Sequence, residues 1–203
     1  MLDDFLSNTH TDALCDKNFE EWHLGIPYYG FWAIVIEQPE YLSLISKAQN
    51  HLQHFFLPNY SRQAHITLNV CGLMSEDHFS NAALDDQISI IEEMKLSVFE
   101  VSLSHIDSFT TAAYLHISDA SDTLCKINQT LSVISHNSTP TIYQPHITLG
   151  LYREKFESKC VVEEIMKFGR VEIPSMIAKE VHFCRYETSN IQGPIEVLKR
   201  IKL

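Results

Sequence analysis

His65-Ile66-Thr67-Leu68 and His146-Ile147-Thr148-Leu149 are one tetrapeptide written twice, and the reading of these two stretches decides the fold. Each sits in β-like surroundings, at 64–71 before Gly72 and at 143–152, and each follows a segment with helical spacing. Residues i and i+2 of a strand share a face, about 7 Å apart. His65 and Thr67 therefore point one way while Ile66 and Leu68 enter the core. His146 and Thr148, with Ile147 and Leu149, repeat that division. A pseudo-twofold relation between the strands would place two imidazoles and two hydroxyls around one cavity.

The sequence outward from these strands supports two related halves. The aromatic and β-branched run at 31–37 predicts a buried strand. Pro39 suits a helix start, and Tyr41, Leu42, Leu44, Ile45, Ala48, Leu52 and Phe55 carry helical spacing to about residue 56. A loop and a helix are expected over 75–94. Phe99-Val101-Leu103 alternates with polar residues as a strand with one wet face, and 114–117 is another strand. Ser121-Asp122 is expected to cap a helix carrying Leu124, Ile127, Leu131 and Ile134. A helix near 155–168 and strands around 179–186 and 195–201 complete the order β-α-β-α, β-β-α-β-α-β-β. The prediction is an α+β fold of two pseudo-symmetric lobes around a central groove. Each lobe is an antiparallel sheet with outer helices. Residues 1–24 read as an acidic arm or short helix on the surface, and 25–203 as one bilobal domain.

Composition narrows the partners. The chain has 203 residues, 45% hydrophobic and 20% charged, the balance of a globular protein. Its 15 basic residues against 26 acidic ones give a formal charge of −11. That argues against wrapping long nucleic acid, which needs clustered Lys and Arg. A small anion held by a few local groups remains compatible. No apolar run approaches the roughly 20 residues that span a bilayer. The first residues, Met1-Leu2-Asp3-Asp4-Phe5, are acidic where a secretory signal is basic. Five cysteines without paired spacing point to a reduced, cytoplasmic protein, and a monomer is the expectation.

Two imidazoles and two hydroxyls suit phosphodiester chemistry. With an ordinary pKa of about 6.5, histidine can be neutral or charged near neutral pH. One neutral imidazole can take a proton from water or a ribose hydroxyl, and a protonated one can give a proton to the departing oxygen. Each role is worth roughly 10²–10⁴-fold. The threonine hydroxyls can donate to non-bridging phosphate oxygens as charge develops there. A zinc site needs a third ligand, which neither motif supplies. No metal or cofactor is called for.

From about Trp22 to Leu203 the sequence resembles the two-histidine (2H) phosphoesterase superfamily. The resemblance is specific to the branch of bacterial RNA 2′,5′-ligase-like proteins and 2′,3′-cyclic phosphodiesterases. It is carried by His65-Ile66-Thr67-Leu68 leading to Gly72, and by the run from Tyr143-Gln144-Pro145 to Gly150 that encloses the second motif. It implies that His65 and His146 are acid and base, and that Thr67 and Thr148 bind phosphate. Several ligase-like members carry an arginine five residues after the second histidine. Leu151 stands there instead, followed by Tyr152-Arg153.

Further candidates for substrate contact are Tyr29 and Trp32, as stacking faces for a base, and Tyr143 and Tyr152, which flank the second motif. His116 is a fifth, in a central strand. Arg62 and Arg153 are the cationic candidates, with an ion pair to one of the many carboxylates as the alternative for Arg62. The substrate expected is a small nucleotide or short oligonucleotide with a 2′,3′-cyclic phosphate or 2′,5′ linkage. Hydrolysis of a cyclic mono- or dinucleotide signal, or binding of a nucleotide or RNA end without turnover, are the alternatives.

Overall fold

Two β-α-β units, each closing on a histidine strand, form the halves of the protein. The computed structural model describes residues 2–13, 22–134, 143–170 and 172–203. In chain order the elements are α1 (Asp3–Leu6), β1 (Tyr28–Val35), α2 (Pro39–Leu52) with a 3₁₀ turn over Gln53–Phe55, β2 (His65–Leu73), α3 (Asn81–Glu93), β3 (Phe99–Ser108), β4 (Ala112–Ser118), α4 (Thr123–Ile134), β5 (His146–Leu151), α5 (Ser158–Phe168), β6 (Met176–Ala178), β7 (Glu180–Glu187) and β8 (Ile195–Lys202). One sheet has the order β2-β1-β7-β8 and the other β5-β4-β3-β6. Every pairing is antiparallel. β2 thus corresponds to β5 and β1 to β4, as the repeated tetrapeptide requires. Among the described residues no helix is long and apolar enough to cross a membrane.

Both histidine strands are edge strands, which normally leave backbone groups unpaired. Here a helix from the opposite lobe covers each one. Asn128 on α4 donates its amide to the Leu68 carbonyl at 2.8 Å, and Gln49 on α2 donates to the Leu149 carbonyl at 3.0 Å. The last residue of each tetrapeptide is therefore bound by the other half of the molecule. Asn69 adds a bond to Ser132 at 2.8 Å, and the Tyr143 hydroxyl donates to the Thr67 carbonyl at 2.8 Å. These bonds hold β2 and β5 together.

Beneath them lies one core shared by both lobes. Ile66, Leu68, Ile147 and Leu149 are buried in it with Trp32, Leu52, Leu115, Leu131 and Phe183. Burying each such side chain stabilises by about 1.5–3 kcal/mol. A second, smaller cluster of Phe31, Ala33, Cys184 and Ile195 occupies the other face of the first sheet. This is the face that carries His65 and Thr67, since Val35 pairs with His65 and Ala33 with Thr67.

Local details add to the sequence expectation. At α4 Asp122 holds the cap position, its carbonyl accepting from the Lys126 N–H at 3.1 Å, while Asp119 adds a carboxylate that accepts from the Leu124 N–H at 2.8 Å. Asp122 has a positive φ of 56°. The three-residue β6, too short to show a period, adds a fourth strand to the second sheet. At the N-terminus, Phe5 of α1 enters the main core. Thr11 exchanges three hydrogen bonds with Glu154 and Phe156. Residues 2–13 are thereby docked on the second lobe.

Candidate active site

The two motif histidines are held by the same device. His65 Nδ1 lies 2.7 Å from the Gln63 carbonyl, and His146 Nδ1 lies 2.7 Å from the Gln144 carbonyl. A carbonyl only accepts, so each Nδ1 carries the hydrogen. Each Nε2 is left as a lone pair when the ring is neutral and an N–H when it is charged. The repeat is thus longer than the tetrapeptide: Gln63-x-His65 and Gln144-x-His146 extend it by two residues on the N-terminal side.

His65 and Thr67, His146 and Thr148 are all half-buried, while the isoleucine and leucine between and after them are buried. β2 and β5 approach one another, and the four polar side chains lie at half-buried positions on these two strands. The imidazoles feel each other. Burial pushes His65 down to about 4 against the Gln63 carbonyl, and the Arg62 guanidinium and His146 depress it further. Burial also lowers His146, opposed by the Gln144 carbonyl. Without an anion between them, both rings are biased towards neutrality.

The walls of the groove differ. On the first lobe, Phe31 lies 5.3 Å from His65 and 6.0 Å from Tyr186, ring centre to ring centre. Tyr186 stacks on Tyr29 at 5.4 Å, and Tyr29 on Trp22 at 5.5 Å. Arg62 lies over Tyr186 with its Cζ 3.9 Å from the ring centre. This wall is aromatic and cationic.

The second wall mixes aromatic and polar groups. His116 pairs across the sheet with His146, and Tyr114 with Thr148. Tyr114 stacks on Phe109 at 4.3 Å, and both contact the His146 ring. The His116 ring stacks on His105 at 4.8 Å. Ser104 Oγ lies 3.0 Å from Nδ1 of each of these rings. A hydroxyl has one hydrogen, so one imidazole accepts from Ser104 and the other donates to it. Asp107 Oδ2, 3.6 Å from His105 Nε2, favours the hydrogen at that nitrogen. His116 then donates through Nδ1 and presents Nε2 as an acceptor. Burial and the neighbouring His105 lower the His116 pKa. Ser104, His105 and Asp107 were not found from the sequence. The pairing register shifts between Leu103 and Ile106, which breaks the alternation that would have placed them.

Two sequence candidates are corrected by burial. Trp32 is 0% exposed and donates its indole N–H to Gln87 at 2.7 Å, on the core face of β1. Tyr152 is also 0% exposed, with its hydroxyl 2.6 Å from Ser108 Oγ. Neither can meet a substrate. Arg153 lies past the end of β5, ion-paired to Glu154 at 3.2 Å and near the Phe156 ring. No motif residue is among those contacts. Tyr143 spends its hydroxyl on the Thr67 carbonyl. Tyr29 and His116 are half-buried on the two walls. Among the described residues, no group of three or more His, Cys, Asp or Glu side chains could hold a metal ion.

Two four-stranded antiparallel sheets, each with a histidine strand at one edge, match the 2H phosphoesterase architecture. The chain belongs to the 2′-5′ RNA ligase superfamily, whose model matches residues 38–190. Its fold is that of E. coli LigT, here in complex with 3′-AMP, at 18% identity and a TM-score of 0.58. That alignment covers 87% of this chain and 98% of LigT. A structure described as a phosphoesterase is similar at 17% identity, covering 87% and 99% of the two chains, with a TM-score of 0.56. TT0787 of Thermus thermophilus is similar at 11% identity, covering 86% and 97%, with a TM-score of 0.56. Comparison with curated protein sequences gives no match. Family and fold together support a nucleotide-processing role of the 2H phosphoesterase and ligase type.

Proposed function

We propose that this chain is a metal-independent phosphodiesterase for a small nucleotide or short oligonucleotide bearing a 2′,3′-cyclic phosphate or a 2′,5′ linkage. The observation that carries the reading is the matched pair of histidines. Each is locked through Nδ1 to the carbonyl two residues before it, and each has a threonine on the same face. Structures of LigT with 3′-AMP and with ATP support a nucleotide as the occupant of such a groove.

In the proposed reaction the phosphate lies between the two Nε2 atoms, and Thr67 and Thr148 donate to its non-bridging oxygens. Water attacks phosphorus as His65 Nε2 removes its proton. The bond to one ribose oxygen breaks as His146 Nε2–H protonates that oxygen. The Arg62 cation beside His65 favours its neutral form and hence the base role. No such cation is among the influences on His146, so the bound phosphate, which favours the charged form of either ring, meets less opposition there.

The test is turnover, with chelator present, of a panel of 2′,3′-cyclic nucleotides, 2′,5′-linked dinucleotides and cyclic dinucleotides. The reading expects cleavage of the first or second class and its loss in both His65→Ala and His146→Ala. Activity that survives both substitutions overturns the mechanism. Binding without turnover across the whole panel would make the protein a nucleotide sensor instead.

A further inference from the structure

Arg62 is a half-buried cation without a counter-ion. Its Nη2 is shielded from solvent and has no hydrogen-bond partner among the described residues. Its Nε donates to the Gly193 carbonyl at 3.3 Å, and its plane rests on Tyr186. No carboxylate lies within ion-pair distance of it among the described residues. Arg153, Arg185 and Arg200 are each paired with glutamate, and Arg170, which has no such pair, is exposed where Arg62 is half-buried. In a chain of net charge −11, a guanidinium that avoids every carboxylate is conspicuous. Leaving a buried, charged donor unpaired is costly, and an anion is the group that relieves it.

The segment that carries Arg62 is held rigid. Ser61 donates through N and Oγ to the Gln192 carbonyl, and Gln192 donates to the Pro58 carbonyl at 3.1 Å. The Gln63 amide pairs with both backbone groups of Ile195, at 2.8 and 3.2 Å. The guanidinium is therefore fixed in advance of binding, which lowers the ordering cost of an incoming ligand. It lies close enough to His65 to depress its pKa, and it is seated on the aromatic wall. Phe31 and Tyr186 lie in sequence between the His65 ring and Arg62. A phosphate gripped by both histidines and both threonines would leave Arg62 for a different anionic group.

We propose that Arg62, seated on Tyr186, binds a second phosphate of the substrate, one nucleotide unit from the phosphate held between the histidines. The substrate class is then a nucleotide with a further phosphate, such as a 5′-phosphorylated end or an oligonucleotide terminus. A bare nucleoside cyclic phosphate is the poorer substrate. This rests on the phosphodiesterase reading above and specifies its substrate.

The experiment compares adenosine 2′,3′-cyclic phosphate with its 5′-phosphorylated counterpart, in wild type, Arg62→Gln and Arg62→Lys. The expected wild-type preference in kcat/KM for the 5′-phosphorylated compound is about tenfold or more, the worth of one charge-assisted contact. In R62Q the ratio falls towards one, and in R62K part of it remains. A structural anchor alone would lower both activities together and leave the ratio intact. An unchanged ratio in R62Q, or no wild-type preference, overturns the proposal. Calorimetric binding of adenosine 5′-monophosphate against adenosine separates this from failure of the catalytic reading. If neither cyclic compound is cleaved, tighter binding of the monophosphate that R62Q abolishes still supports the subsite, and equal binding of the two compounds refutes it.

Discussion

Replacing Gly150 with alanine should damage stability and catalysis together, and the structure sets the scale. Gly150 is buried next to the second motif, two residues after Thr148. A Cβ built there would lie 2.5 Å from Phe56 Cγ and 2.9 Å from Cε2, with Cδ2 also in conflict. Ordinary contact begins near 3.4 Å, so something must move by about 1 Å. Phe56 has little freedom to yield. It is buried against Tyr152, its N–H is bonded to the Gln53 carbonyl at 3.1 Å, and Leu57 N–H bonds to the Leu151 carbonyl at 2.8 Å. Overpacking of this kind costs about 1–3 kcal/mol, and the upper half of that range is expected here. For a chain of this length it corresponds to a fall in Tm of about 5–10 °C. The alternative to moving Phe56 is moving β5, which carries Thr148 and His146. A displacement of about 1 Å in such groups can lower kcat/KM by up to roughly 10²-fold. Thermal melts and turnover of a 2′,3′-cyclic nucleotide measure the two effects. Phe56→Leu in the Gly150→Ala background should recover part of both losses, because the pair shares one space. A melting temperature within a degree of wild type, or simple additivity of the two substitutions, would refute the packing argument.

His65→Ala and His146→Ala should each lower kcat by about 10²–10⁴-fold, and the double variant by little more than the worse single one, since the groups act as a unit. The pH dependence of kcat/KM should be a bell on the acid side of 6.5. It rises as His65 loses its proton near pH 4 and falls as His146 loses its own below the ordinary value; a profile with both limbs above 6.5 contradicts these environments. Asn128→Leu, which strips the Leu68 carbonyl of its partner, should destabilise by about 1–3 kcal/mol in urea titration, and Gln49→Met should act comparably through Leu149. Stability unchanged in both would mean that the helices do not cap the histidine strands.

Strand periodicity carried much of the fold because it depends only on which side of a pleat a residue falls. Ile66, Leu68, Ile147 and Leu149 are buried and their polar neighbours half-exposed, as the alternation at each motif requires. Alternation fails where register slips. Tyr152 shares parity with His146, yet β5 ends at Leu151 and the β4–β5 pairing shifts between Ala113 and Tyr114. The ring consequently turns into the core. Trp32 lies one residue from Phe31 and so faces away from the groove, a parity that the unbroken aromatic run could not show. Gln49 and Asn128 were invisible for another reason. Each lies beside a buried residue on its helix and bonds to a strand about 60 or 100 residues away. No local pattern encodes that partner.

The pseudo-symmetry of the motifs makes the two histidines equivalent only as far as the backbone bond to Nδ1. Beyond it the lobes diverge. Val35 occupies in β1 the cross-strand position that His116 occupies in β4. Phe31, Tyr186 and Arg62 stand on one side, and the Ser104–His105–His116 array on the other. A symmetric groove could accept a phosphodiester in either direction and would give each histidine either role. On the proposed reading, an aromatic wall with a fixed cation would take a base and a phosphate, and a wall carrying imidazole and hydroxyl groups would take ribose hydroxyls. That difference would give the substrate one orientation, and with it decide which histidine meets the attacking water and which meets the leaving oxygen. In that proposal the repeated tetrapeptide supplies the chemistry, and the residues that break the repeat supply its direction.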